Sequence, residues 1–481
     1  MTVVSRKVGC AFTAIAFAGT ALPASAAAHG IKIRADLPVP LNIFYTSGAI
    51  ILVVSFLMLL ALWRKPRFTT APWRALPPAL SNAVLSPITR RAAAALVLAC
   101  FVLVVVAALG GTVDGGDNIA PTIVFLHWWI GIPVASALLG DVVRRTIPWA
   151  TIARLGGIGD EPVVRTRSDP GYWPAAVTLL TFSWLELVYP TAAHVRMIGV
   201  LAVTYLVVTV AAMVVRGVEG WLDGGELFAT YGSTIARLSI WECRTQGDGS
   251  QRLGLRPPLI GALQLRPRPG LAAFTTLLIG TVSYDGLSRT HWWTLRVADA
   301  TARLSSHGIS SVAARYIFGT FGLVAMSLFA WGAFELAAWL AGRLGGFGGS
   351  PHPVYGRPAA AFAPTLVPIA LAYVVAHYFT YFWFGGQTII PLASDPLGRG
   401  WNLFGTLDYT IDFSTIRANT VWYVQVGAIV IGHVAGLALA HDRALELAPN
   451  YRRATISQLA MLALMVLYTV GGLYFLSGGL A

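Results

Sequence analysis

Apolar stretches of about 20 residues, the length a helix needs to cross a lipid bilayer, recur along this chain and leave room for little else. They lie near 42–63, 92–111, 121–142, 173–190, 196–215, 271–286, 316–342, 359–385, 421–440 and 457–478. A backbone in hydrocarbon must satisfy its own hydrogen bonds, so runs of this kind predict an all-α, polytopic transmembrane bundle of about ten spans. Charged residues make up only 11% of the 481 positions, against about 25% in a soluble globular domain. A water-soluble enzyme, a nucleic-acid module and a disordered chain are excluded on that ground.

The net charge of +13 is almost all arginine, since Lys7, Lys32 and Lys65 are the only lysines. In a membrane chain it reads as the basic bias of cytoplasmic loops, not as affinity for nucleic acid. Residues 1–28 have the form of a secretory signal. Arg6 and Lys7 precede the apolar Cys10–Leu22 segment, and Ala24-Ser25-Ala26 or Ala26-Ala27-Ala28 offers a small-residue cleavage site. Cleavage leaves a single transmembrane domain, 29–481, whose N-terminus lies outside the cytoplasm, in a bacterial inner (plasma) membrane. Arginine-rich loops after the odd-numbered spans agree with that orientation and place the C-terminus outside as well. The loop at 287–315 is the exception, with Arg289, Arg296, Arg303 and Arg315. The Arg/Pro-rich stretch 217–270 reads as a cytoplasmic loop, irregular around Pro257, Pro258, Pro267 and Pro269. Within it, 226–241 is apolar enough to lie along or under the membrane. Cys100 and Cys243, the cysteines left after cleavage, build neither a disulfide framework nor a thiolate metal site.

Ionisable groups at bilayer depth are costly unless paired or wet, which makes them functional candidates. Counting about 1.5 Å per helical residue places His127, Glu186, Asp285 and His377 at a common level near the outer face. His433 falls near mid-membrane, Glu335 deeper, and His441-Asp442 at the cytoplasmic rim. Imidazole and carboxylate groups suit a divalent transition metal such as Zn, Cu, Fe or Mn. In that reading His127, Asp285 and His377 are the ligands, and Glu186, Asp285 and His377 carry catalysis. His29, at or near a new N-terminus, adds a possible copper ligand. The plainer alternative is that each group is an interhelical hydrogen bond. His441-Asp442-Arg443 reads as a helix-end interface cluster. HExxH, paired CxxC, P-loop and GxSxG patterns are absent.

A set of short motifs resembles bacterial membrane proteins of the fenitrothion hydrolase-like family. They are Ala28-His29-Gly30 with Arg34 to Pro40, Ser283 to Ser288, Ala376 to Phe379, Ser394 to Gly398 with Trp401 to Thr406, Gly432-His433-Val434, and Ala440 to Ala444. They span the chain from the mature N-terminus to about residue 445. The resemblance implies hydrolysis of organophosphorus triesters or similar lipophilic esters, with the bilayer and a small lipophilic substrate as partners. Metal assistance at the outer His/Asp/Glu level fits that chemistry. Two other classes stand beside it. A copper or ion transporter would run a polar route inward through His433 and Glu335, and a structural membrane protein would use the same groups only to hold helices together.

Overall fold

A computed structural model describes residues 41–68, 72–163, 169–189, 194–349 and 352–477. The expected signal segment 1–28 and His29 lie outside the described residues. The chain is about 73% helical, with almost no strand, and among the described residues eight helical stretches are long and apolar enough to cross a membrane.

The chain opens with α1 (Leu41–Leu62), α2 (Pro78–Leu85), α3 (Pro87–Gly110) and α4 (Ile119–Leu139). Then come α5 (Pro148–Leu155), α6 (Trp173–Leu187), α7 (Val195–Arg216) and α8 (Leu227–Ala236). The second half holds α9 (Leu271–Ser288), α10 (His291–Ser306), α11 (Ser311–Gly345), α12 (Pro358–Ser394), α13 (Ala418–Leu447) and α14 (Tyr451–Ser477). Polar residues punctuate the apolar runs where a helix needs its first amides capped. Ser86, Thr290 and Ser310 accept from Thr89, Trp293 and Ala313 at 3.0, 3.3 and 3.2 Å. Gly346 (φ 76°) ends α11 in a left-handed cap.

Two of the ten expected spans are helices of another kind. α6 has 15 residues, and α9 carries Thr275, Thr276, Thr281, Ser283 and Asp285, so neither joins the eight. Helix α9 instead lies inside the bundle, with 14 of its 18 residues buried, packed by α6, α11 and α12. The centre belongs to α12, whose most apolar window is 83% buried, while that of α1 is 17% buried at the periphery. α13 closes on α12 through Gly432 and Gly436. A Cβ on Gly432 would sit 2.3 Å from that of Ala372, and one on Gly436 would sit 2.8 Å from the Thr365 carbonyl. Small residues four apart let two helices in lipid approach this closely.

The 217–270 stretch is more ordered than its prolines predicted. Strands β2 (Trp241–Thr245) and β3 (Gln251–Leu255) form an antiparallel hairpin, and β1 (Arg74–Ala75) joins to give the order β1-β3-β2. Most of the 226–241 segment is enclosed by protein. α8 is inserted among α4, α6 and α12 with nine of its ten residues buried. Its short length hid it, because a ten-residue apolar segment enclosed by protein carries the same sequence signal as one resting on lipid.

Candidate functional site

Asp285 lies one turn from the C-terminal end of α9, 2% exposed, and three side chains converge on its carboxylate. His377 Nε2 is 2.7 Å from Oδ2, and the Tyr378 hydroxyl donates to the same oxygen at 3.1 Å. Oδ1 accepts from Arg289 Nη2 at 2.8 Å and Nε at 3.1 Å. The geometry follows from helix spacing. Arg289 is one turn beyond Asp285 on the same face, at a helix C-terminus where a cation is favoured. His377 and Tyr378 come from the neighbouring α12. A Cβ on Gly286 would come within 2.7 Å of Phe475 Cβ, so glycine here lets α9 pack closely against α14 beside the acid.

Asp285 accepting at Nε2 fixes the proton of a neutral His377 ring on that nitrogen and leaves Nδ1 as the base. His377 also borders a small cavity, about 20 Å³, with Ser283, Tyr373, Ala376, Ile429 and Gly472 on its walls. That is room for about one water molecule, and Ser283, Tyr373 and His377 provide polar edges for it.

Glu186, the penultimate residue of α6, is half-buried and lies within electrostatic range of both Asp285 and Arg289. Its charge also reaches Tyr231, Tyr378 and Tyr381. His127 sits in a π-helical segment of α4, Thr122–Ile130, facing a second one in α12, Tyr381–Gly385. Such one-residue register shifts inside helices are frequent at functional sites. The His127 ring turns back onto its own helix, with Nδ1 3.2 Å from Thr122 O. The ring lies 6.3 Å from that of Phe382, and an aromatic shell continues through Trp129, Phe182 and Tyr231.

The four residues expected at one level are therefore unequally joined. Asp285 and His377 form a direct pair, Glu186 shares their field, and His127 stands apart on its own segment with no bond to the other three. Among the described residues no group of three or more His, Cys, Asp or Glu is placed to hold a metal ion. The expected ligand set of His127, Asp285 and His377 does not assemble, because both Asp285 oxygens are engaged by Arg289, His377 and Tyr378 and His127 is turned to a backbone carbonyl. His29 lies outside the described residues.

Deeper groups diverge from expectation too. Glu335 is on the exposed side of α11, where Trp331 Nε1 donates to it at 3.1 Å, so it is not part of an interior polar route. His433 is fully buried, its Nδ1 2.8 Å from Ile429 O and its Nε2 without a partner. His441 and Asp442 are interface groups at the far end of α13, as their position predicted. Arg289 and Tyr378 were missed. The Asp285–Arg289 spacing of four was the available signal for the first, and adjacency to His377 the only one for the second. The chain matches no protein-family model, no curated protein and no solved structure.

Proposed function

We propose that the protein is a membrane-embedded hydrolase of organophosphorus triesters or similar lipophilic esters, working by general-base chemistry at the Asp285–His377 pair. The observation that carries this reading is the 2.7 Å contact between a buried carboxylate and an imidazole that also borders a water-sized cavity. Asp285 orients His377 and balances the charge it gains. His377 Nδ1 takes a proton from water as the oxygen attacks phosphorus or carbon, and the bond to the ester oxygen breaks. Glu186, when protonated, returns a proton to the leaving oxygen. Among the described residues no three-residue ligand set is placed to hold a metal, and no step is routed through one. The family resemblance of Ser283–Ser288 and Ala376–Phe379 supports the same assignment, since both motifs meet at this site.

The finer topology belongs to this proposal. α6 and α9 cross with the other eight, α9 shielded from lipid by its neighbours. The mature N-terminus lies outside, after cleavage of residues 1–28, and the site opens toward the outer leaflet of the inner membrane.

Purified protein in detergent, assayed on a chromogenic aryl phosphotriester, tests the reading. His377→Ala should lower kcat by about 10²–10⁴-fold, the usual worth of a positioned general base, with its elution profile and helical content kept. Undiminished hydrolysis in that variant, or none in the wild type, would remove the assignment. A transport reading draws on His433, whose buried Nε2 has no hydrogen-bond partner among the described residues. It predicts that His433→Ala abolishes uptake of an ion into proteoliposomes, whereas the hydrolase keeps its turnover in that variant.

A further inference from the structure

The opposite end of the bundle holds a second ionisable cluster that the proposed reaction does not use. His441 and Asp442, adjacent on α13, are both fully buried, as is Gln458 on α14. Gln458 Nε2 donates to the Ala454 carbonyl at 3.0 Å, so its Oε1 is the atom facing His441 Nδ1, at 2.7 Å. The other ring nitrogen, Nε2, is 2.7 Å from the Trp63 carbonyl. Both nitrogens thus face acceptors that carry no proton. A neutral imidazole has one N–H and satisfies only one of them, and an imidazolium satisfies both.

The counter-charge is next in the chain. Asp442 accepts from Trp63 Nε1 at 3.0 Å and from the backbone amides of Arg67 and Phe68 at 2.6 and 3.1 Å. Among the described residues, the hydrogen-bond partners of the pair other than Gln458 belong to the segment that leaves α1. Arg67 stacks over the Trp63 ring at 4.8 Å and returns a bond to Leu62 O, while Arg64 and Lys65 are exposed. On α13 itself, Arg443 is neutralised by Glu446 at 2.7 Å, and on α14 the nearest charges, Arg452 and Arg453, sit at the exposed helix start.

We propose that His441 is a proton-operated latch that bolts the end of α1 to α13 and α14. With the proton in place, the ring bridges Gln458 and Trp63 and its charge balances Asp442. Removing one proton leaves a nitrogen lone pair against an oxygen lone pair at hydrogen-bond distance and an uncompensated buried carboxylate beside it. Residues 63–68 then detach. α1 is free to respond, since it lies at the periphery on α13 and α14. At its other end Gly48 packs against Leu473, next to the α14 residues Gly472, Phe475 and Leu476 that wall the His377 cavity. The latch stands independently of the reaction proposed above.

A nitroxide attached through Arg67→Cys, with Cys10, Cys100 and Cys243 replaced by serine, reads it in the full-length protein. As pH is raised from acid to alkaline, the label should pass from immobile to several-fold more mobile. In His441→Ala it should be mobile throughout. Nitrogen-15 histidine spectra supply a readout that does not depend on the variants' folding, with the His441 signal identified by its loss in His441→Gln. An imidazolium signature at the acid end that disappears in step with label release supports the latch. A neutral His441 ring at the acid end, or a label whose mobility does not change with pH, overturns it.

Discussion

At the scale of single residues, Arg289 decides whether Asp285 is tolerable where it is. The carboxylate is 2% exposed and the guanidinium 36%, and Arg289 reaches Oδ1 through two nitrogens. Removing one partner of a buried pair costs about 3–5 kcal/mol, because the remaining charge is left unbalanced. Arg289→Leu should fall at the lower end of that range, since the arginine is partly solvated. Thermal unfolding in detergent should show a clear drop in Tm, with partial recovery in Arg289→Lys, which restores the charge without the planar fork. A variant as stable as the wild type would mean that His377 carries the compensating charge alone.

Depth along a helix was enough to bring Asp285 and His377 together from the sequence, because both were counted from apolar-run boundaries that the structure largely reproduces. Depth says nothing of direction around a helix. Glu335 was placed on an interior route for that reason, yet it faces outward on α11, a helix apolar on all sides that gives no face to read. The apolar run ends at Gly286, which by composition puts Arg289 in a loop. Helical hydrogen bonding continues to Ser288 and Arg289 forms the cap.

Among the elements, the connections outside the spans hold more order than their composition predicted. The turn before α6 is tied to the turn before α9 by Arg268, whose Nε and Nη2 both reach Asp169 at 2.7 Å and whose Nη1 reaches Asp223 at 2.9 Å. The hydrogen bonds from Arg268 hold the Asp169 carboxyl at about 2, below its ordinary 3.8. A depressed acid contributes its stabilisation above the unfolded value and loses it as the folded value is reached. The tie is therefore intact above 3.8 and fails as pH falls toward about 2. The Tyr172 amide, which donates to the Pro269 carbonyl at 2.7 Å across the same junction, reports on it. Its hydrogen exchange, corrected for the intrinsic rate, should accelerate over that acid range in the wild type and be uniformly fast in Asp169→Ala. Proline and arginine in 257–269 read as irregular chain because the partners that order them, Asp169 and Asp223, are remote in sequence.

For the molecule as a whole, eight long apolar helices establish a multi-pass protein, and the sidedness proposed here is open to direct test. Reporter fusions at Arg91 and Arg167 should register cytoplasm, and fusions at Asp117 and Ala481 the outside. A cytoplasmic Ala481 would mean that α6 and α9 do not both traverse. The orientation rests on counting basic residues in loops, and the pairing of Asp285 with Arg289 bears on how such a count should be made. In the folded chain a carboxylate and a guanidinium one turn apart form a near-neutral pair, not a free cation. Asp299 and Arg303, also one turn apart at 2.8 Å, form a second such unit in α10. Of the four arginines in 287–315, Arg289 and Arg303 are thus each held against an acid one turn away, so their charge outside the spans is locally balanced in the folded protein.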